Sequence, residues 1–295
     1  MFNLFLQVCI LPAFLLITTH VESKSVIQLA QDLGATTLVG FIKQAGLEGT
    51  LSGHGPFTVF APNNAAFAAL PNDVKAKLAN DTDLLKQVLT FHVTSGRDYS
   101  TALSNDMLVA SLNTPNKIRV NIYQTVDTQI YTVDGATIVT YDQNATNGVI
   151  HVIDKVMFPI PMGPITSVAA LNPNFGTLIY CLQQGQLLET LSGAGPFTVF
   201  APNNAAFDKL PPNALSDLLS NQTALVAVLK YHVIGATYFS AGLNEGDIPT
   251  LEGKSVKVSI GNDGVKINNA KVVTADIPAT NGVVYEIDTV LLPPN

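Results

Sequence analysis

A stretch of eighteen residues occurs twice in this chain of 295 residues. Residues 50–67 return 140 positions later as residues 190–207, and the one difference is Ala194 in place of His54. This spacing is too long for a solenoid repeat and matches the size of a whole domain. A second echo, between residues 146–154 and 280–288, closes each copy. The sequence therefore predicts two tandem domains, with boundaries at residues 24–160 and 161–295.

The N-terminal residues have the pattern of a secretory leader. An apolar run from Leu4 to Ile17 is broken only by Gln7, and small and polar side chains follow up to Ser23. The run is short for a membrane span, and no later apolar segment approaches the required length. We therefore expect a signal peptide at residues 1–23, a secreted mature chain, and no transmembrane segment once the signal is removed.

Composition narrows the classes of function. Hydrophobic residues make up 47% of the chain and charged residues 13%, which suits a compact globular protein. The 22 acidic residues outnumber the 15 basic ones, and no cluster of Lys or Arg supplies the basic surface that nucleic acids require. We therefore expect no nucleic-acid partner. Cys181 is the one cysteine left after the leader, and it takes the place of Phe41, which predicts a buried thiol.

Helical and strand patterns divide each copy. Apolar residues recur at helical spacing over residues 73–78 and 83–89, whereas Ile118, Val120 and Ile122 alternate with polar residues as in a strand. A short strand at residues 57–60 comes before these helices, and Asn63 or Asn64 is suited to cap the helix that follows it. Helices in the first half and strands in the second half predict an α+β fold for each domain.

Three motifs resemble those of the fasciclin family of secreted adhesion domains. Residues 55–63 look like its first signature and residues 147–154 like its second, and both signatures recur in the second copy. Residues 231–232 match the family's Tyr-His motif, and residues 91–92 depart from it by having Phe for Tyr. The resemblance implies a twisted β-sandwich wedge flanked by helices.

The same resemblance implies a function. It implies a non-catalytic protein of the extracellular matrix and of cell adhesion, without a cofactor, that binds integrin-type receptors, matrix proteins or glycans. The alternative is a structural component of an extracellular matrix, mineralised or not, that binds no receptor. No Gly-x-Ser-x-Gly elbow or closely spaced His and acid set points to an enzyme or a metal site. One fold can carry several functions, so the site residues decide between these classes.

An Asp-Ile pair just before the last strand is associated with integrin recognition in the family, and Asp276-Ile277 matches it. An exposed carboxylate can coordinate a receptor-bound divalent ion while Ile supplies apolar contact. The first copy has Asp142-Gln143 there, beside a glycosylation sequon at Asn144. We therefore hypothesise that the second domain is the adhesive one. The alternative is that Asp276 caps a turn and Ile277 packs into the core.

His92 and His232 are the histidines that recur in both copies. A metal-binding or catalytic role needs partner residues, and none repeats with them. We therefore expect hydrogen-bonded histidines that fix a helix-to-strand junction. By resemblance to the family, Tyr231 and His232 are second-choice adhesion residues. Secretion further makes the sequons at Asn80, Asn144 and Asn221 candidates for N-glycosylation.

Overall fold

The computed structural model describes residues 24–125, 128–159 and 163–294. The predicted signal peptide and the predicted boundary at residues 160 and 161 lie outside these ranges. Below, domain 1 is residues 24–159 and domain 2 is residues 163–294.

Domain 1 begins with helices that surround one early strand and ends with a run of strands. Its helices are α1 (Val26–Asp32), α2 (Thr36–Gln44), α3 (Glu48–Leu51), α4 (Asn64–Ala68), α5 (Asn72–Asn80) and α6 (Thr82–Phe91). Its strands are β1 (Phe57–Pro62), β2 (Val93–Ser95), β3 (Met107–Ala110), β4 (Lys117–Gln124), β5 (Gln129–Val133), β6 (Ala136–Ala145) and β7 (Gly148–Ile153). A 3₁₀ helix lies at Ser100–Ala102.

Domain 2 repeats this order. Its helices are α7 (Ile165–Leu171), α8 (Gly176–Gln184), α9 (Leu188–Ser192), α10 (Asn204–Asp208), α11 (Ala214–Ser220) and α12 (Gln222–Tyr231). Its strands are β8 (Phe197–Pro202), β9 (Val233–Ile234), β10 (Gly246–Pro249), β11 (Ser255–Gly261), β12 (Gly264–Ile267), β13 (Ala270–Ala279) and β14 (Gly282–Ile287). Two 3₁₀ helices lie at Pro173–Phe175 and Ser240–Gly242.

Each domain contains one bent, nearly closed sheet. In domain 1 the strand order is β2-β1-β7-β6-β5-β4-β3, and domain 2 has the equivalent order. β1 pairs in parallel with β7, whereas the other neighbours are antiparallel. An isolated bridge between Thr94 and Ser111 brings the two edges of the sheet together. The predicted α+β wedge is confirmed, and the early strand lies inside the sheet beside the last one.

Strands β1 and β7 separate two apolar cores. Side chains alternate across a strand, so Val59 and Ala61 of β1 face the core beneath the helices, whereas Phe60 faces the core inside the bent sheet. β7 is buried along its whole length, as expected for a strand covered on both faces. Cys181 lies in the helical core of domain 2, as predicted, and burial raises the pKa of its thiol to about 11.

One buried asparagine fastens three segments of domain 1. The side-chain carbonyl of Asn147 accepts a hydrogen bond from the backbone N–H of Val26, where α1 begins, at 2.9 Å. Its amide donates to the carbonyl oxygens of Leu51 at 2.8 Å and Gly53 at 2.9 Å. We call this arrangement the asparagine clasp. It uses both donors and one acceptor site of the side-chain amide group at a buried position.

Domain 2 contains the same clasp. Asn281 accepts from Ile165 N at 2.9 Å and donates to the carbonyl oxygens of Leu191 and Gly193 at 2.8 and 2.7 Å. The backbone of the glycine turn also lies very close to the backbone of Asn281. Gly195 has a φ of +70°, and a Cβ there would lie 2.2 Å from the carbonyl oxygen of Asn281. Only glycine fits that conformation and that space.

The two recurring histidines join the end of a helix to the segment after the last strand, which confirms the predicted junction role. Nε2 of His92 accepts from the backbone N–H of Met157 at 2.9 Å, so Nδ1 carries the proton and donates to the carbonyl of Val88 at 2.8 Å. His232 makes the same pair of contacts. Burial lowers the pKa of each ring to about 4, against the opposing effect of the backbone carbonyl.

Replacement of the clasp side chain is expected to destabilise the fold strongly. Asn147→Ala leaves one N–H and two carbonyl groups without their partner, so we expect the free energy of unfolding to fall by about 2–4 kcal/mol. Urea denaturation followed by circular dichroism measures this change. The matched control is Asn72→Ala on the exposed surface of α5, expected to change stability by less than about 0.5 kcal/mol. Equal losses in the two variants would contradict the role of the clasp.

Mild acid is expected to weaken domain 2 through His232. The folded state keeps this ring neutral down to a pKa of about 4, whereas the unfolded chain takes up a proton near the ordinary histidine pKa of 6.5. Stability is therefore lost as pH falls from about 6.5 to 4, by about 3 kcal/mol over that range. Urea denaturation at several pH values should show a shallower pH dependence for His232→Gln than for the wild type. Identical slopes would contradict the prediction.

Candidate adhesion site at the domain interface

Asp276 lies at an irregular point of β13, where the register with β14 shifts. Its φ of +58° is a left-handed conformation that Asp tolerates better than most residues. The carboxylate accepts hydrogen bonds from the backbone N–H and the hydroxyl of Ser240 and from the hydroxyl of Tyr285. Asp276 thus holds the first residue of the 3₁₀ helix Ser240–Gly242, which matches the turn-capping alternative.

Domain 1 uses an aspartate in the same way. Asp142 has a φ of +54° and accepts hydrogen bonds from the backbone N–H and the hydroxyl of Ser100. Beside it, the Nδ1 atom of His151 lies 3.3 Å from the backbone nitrogen of Asp142. Burial lowers the pKa of His151, so its ring is neutral and Nδ1 accepts that hydrogen bond. The aspartate of the motif therefore has a structural task in both copies.

Ile277 is partly buried and packs against the helical core of domain 2. It pairs across the sheet with Val284, which is fully buried. The counterpart in domain 1 is Gln143, whose amide donates to the carbonyl of Tyr141 at 2.6 Å. Asp276 thus caps a turn and Ile277 packs against the core, as the structural alternative describes. Receptor contact by these two residues stays a prediction.

Tyr231 and His232 are enclosed in domain 2, with 1% and 3% of their surface exposed. The Tyr231 hydroxyl donates to the carbonyl of Ser255 at 2.9 Å and accepts from the side-chain amide of Asn268 at 3.0 Å. A receptor cannot reach either side chain while the domain is folded. Their position therefore argues against the second-choice adhesion role, which stays a prediction.

The Phe-for-Tyr departure in domain 1 is accompanied by a second change. Phe91 replaces Tyr231, and Asp134 replaces Asn268 at the same left-handed turn. One carboxylate oxygen of Asp134 accepts from the backbone N–H of Arg119 at 3.1 Å, and the other is buried without a hydrogen-bond partner among the described residues. Burial raises the pKa of Asp134 to about 7, against the lowering effect of Arg119.

The two domains meet through interlocking aromatic side chains. Tyr123 of β4 reaches into domain 2, where its hydroxyl accepts from Phe239 N at 3.0 Å and donates to the carbonyl of Thr237 at 3.2 Å. Its ring lies against Gly242, where a Cβ would approach it to 2.4 Å. In return, the ring of Phe239 lies against Gly135 of domain 1, where a Cβ would approach it to 2.5 Å. No pattern in the sequence predicts this contact.

Polar contacts at the same interface reach the candidate motif. Arg119 is buried, pairs with Asp106 and donates to the carbonyl of Thr280 at 2.8 Å. The ammonium group of Lys155 lies 3.0 Å from the Asp276 carboxylate. The 276–280 segment of domain 2 is therefore held by two cationic side chains of domain 1.

The three sequon asparagines lie on the surface. The side-chain amide of Asn80 donates to the carbonyl of Ala76, Asn144 accepts from the hydroxyl of Tyr99, and Asn221 caps α12. Their glycosylation stays a prediction. Within the described ranges, no helix is long and apolar enough to cross a membrane, and no group of three or more His, Cys, Asp or Glu is arranged to hold a metal ion.

A side chain at position 242 is expected to open the interface. Gly242→Leu forces its Cβ into the ring of Tyr123, and overpacking of this kind costs about 1–3 kcal/mol. We expect a larger radius of gyration in small-angle X-ray scattering and separate unfolding of the two domains. Gly49→Ala on α3, where a Cβ meets no atom within 4 Å, is the control. An unchanged radius of gyration in Gly242→Leu would contradict the interface.

Comparison with known proteins agrees with the motifs and the fold. The fasciclin domain matches residues 33–159 and 173–293. Human periostin is 32% identical over 264 residues, covering 88% of this chain and 31% of periostin. Transforming growth factor-beta-induced protein ig-h3 from Oryctolagus cuniculus is 32% identical over 274 residues, covering 92% of this chain and 38% of that protein. This chain thus spans about a third of the length of these two relatives.

Shorter relatives and a solved structure are also similar. Immunogenic protein MPB70 from Mycobacterium bovis is 39% identical over 136 residues, covering 44% of this chain and 69% of MPB70. The solved structure of a domain pair from the insect cell adhesion molecule fasciclin I is 21% identical, covers 89% of this chain and 98% of that structure, and has a TM-score of 0.44. The chain belongs to the fasciclin-domain family, with two tandem copies of the domain.

Proposed function

We propose that the mature protein is secreted and acts without catalysis as an adhesion protein of the extracellular matrix. Its partners are integrin-type cell-surface receptors or matrix macromolecules. The observation that carries the proposal is that two fasciclin domains occupy residues 33–159 and 173–293, most of the chain. The family is one of secreted adhesion domains.

Within this proposal, domain 2 presents Asp276 and Ile277 to the receptor. The Asp276 carboxylate already contacts one cation, since Lys155 lies 3.0 Å away with 48% of its side chain exposed. The Asp276 side chain is 18% exposed, so the ammonium group is the more accessible member of the pair and the one that another cation can replace. A divalent ion held by a receptor would meet the same carboxylate oxygen in place of the ammonium group. Displacement of Lys155 is therefore part of the proposed binding step.

Domain 1 offers a less suitable surface for the receptor than domain 2. Gln143 provides no apolar contact at the position of Ile277, and Asn144 beside it is exposed. A glycan on Asn144 would cover the surface next to Asp142. The proposed asymmetry between the domains thus follows from two neighbouring residues.

Cell attachment to surfaces coated with the full mature chain tests the proposal. We expect attachment above an albumin coating, loss with EDTA, and about tenfold weaker attachment for Asp276→Asn combined with Ile277→Ala, as for residues that dominate an interface. Asp142→Asn is the matched control, because it alters the same serine contacts in domain 1 and should leave attachment unchanged.

Two outcomes would contradict parts of the proposal. Attachment no better than to albumin would remove the receptor function, and binding to matrix proteins or glycans in the same preparation would then favour the structural alternative. Equal loss of attachment in Asp142→Asn and in the domain 2 variant would show that general destabilisation is responsible, which removes the assignment to Asp276 and Ile277.

A further inference from the structure

The duplication gives each position of domain 1 an internal reference in domain 2. The backbone N–H of Thr37 donates to the side chain of Asn64 at 2.9 Å, and that of Thr177 donates to Asn204 at 3.0 Å. These matched contacts align α2 and α4 of domain 1 with α8 and α10 of domain 2. α5 aligns with α11 at the same offset, because Asp81 and Asn221 cap the helices that follow them. A difference between the two helical layers is therefore a property of the individual domain and not of the fold.

The helical layers differ in the space that they enclose. Domain 1 has a cavity of about 390 Å³ among α2, α4 and α5. In domain 2 the equivalent residues Cys181, Phe207 and Leu218 line a void of about 10 Å³, which lies deeper in the core because Leu225, Leu229 and His232 also line it.

Two lining residues of domain 1 have leucines as their equivalents in domain 2. Lys75 and Ala79 line the cavity of domain 1, whereas the equivalent residues Leu215 and Leu219 pack against the core of domain 2. The cavity of domain 1 therefore has a cation and a small side chain in its lining where domain 2 has two leucines.

The walls of this cavity suit an amphiphile. Phe67 and Leu78 are buried and form an apolar floor, and Phe41 packs against Phe67 with ring centroids 5.3 Å apart. Lys75 is the charged residue of the lining, and its ammonium group donates one hydrogen bond, to the carbonyl of Ala68 at 2.7 Å. An ammonium group has three donors, so the others are available to an anion at the edge of an apolar surface.

We propose that domain 1 binds a small anionic amphiphile in this cavity, with its apolar part on Phe41, Phe67 and Leu78 and its carboxylate on Lys75. A cation beside apolar walls favours this class over neutral or cationic ligands. The volume lies at the lower end of small-molecule sites and limits the ligand to a short chain or a small ring system. Domain 2 has a depression of about 410 Å³ on α11 and α12. The charged residue of its lining is Asp217, which repels a carboxylate, so this depression does not suit an anionic ligand.

Displacement of a fluorescent anion by a fatty acid tests the proposal on the full mature chain. The probe is 8-anilinonaphthalene-1-sulfonate, and decanoate is the competitor. We expect one saturable site per chain from which decanoate displaces the probe. Lys75→Met retains the cavity and removes the charge, so decanoate should bind about tenfold more weakly. Ala79→Leu introduces the domain 2 residue and should abolish the saturable site.

Lys77→Met is the matched control, because Lys77 is exposed on the same helix and does not line the cavity. Thermal unfolding midpoints within about 3 °C of the wild type verify that each variant is folded. Absence of decanoate-displaceable binding, or its persistence in Ala79→Leu, would overturn the site. Equal affinity in Lys75→Met and Lys77→Met would overturn the anionic class of ligand.

Discussion

A single buried side chain in each domain connects the start of the domain, its first glycine turn and its last strand. Asn147 and Asn281 lie in the second family signature, and they bond to the carbonyl oxygen of Gly53 or Gly193, just before the first signature. The two signatures are thus the two sides of one contact, although about ninety residues separate them in sequence. The parallel pairing of β1 with β7 follows, because Phe57 N donates to the carbonyl of Asn147 at 3.0 Å and sets the register.

The two domains share the asparagine clasp but differ in buried polar residues near the domain interface. Tyr231 and Asn268 form a polar pair inside domain 2, whereas Phe91 and Asp134 leave a carboxylate oxygen without a partner in the described part of domain 1. Asp134 adjoins Gly135, which receives the ring of Phe239 across the domain interface. This divergence indicates that the shared fold tolerates changes in its polar interior once the clasp and the histidine junction are in place.

The sequence predicted those structural features that depend only on residues close together in the chain. Helix spacing, strand alternation, a cap at Asn63 or Asn64, the buried Cys181 and the junction role of His92 are properties of a residue and its neighbours in the chain. The structure confirms them and places the cap at Asn63. The Asp-Ile pair was open to two interpretations because a dipeptide does not reveal which groups surround it. Its surroundings come from Tyr285 on the adjacent strand and from Ser240 and Lys155, which are distant in sequence.

The interface could not be predicted for a related reason. Tyr123 resembles any aromatic residue in an alternating strand, and only the placement of Gly242 opposite its ring makes it a connector. The cavity of domain 1 likewise depends on side-chain volumes that become comparable only after the repeats are superposed through their hydrogen bonds. Such features belong to pairs of distant segments, and periodicity carries no information about which segments become neighbours.

The clasp also determines how a domain carries mechanical load. Val26 is fixed to Asn147 at the beginning of β7, and the chain leaves the domain beyond Ile153 at the other end of that strand. Tension between the two ends of domain 1 therefore runs along β7, which is hydrogen-bonded to β1 on one side and β6 on the other. Force in this direction shears both ladders at once and does not open their bonds one by one. A fasciclin domain held in this way resists extension while it remains attached at both ends.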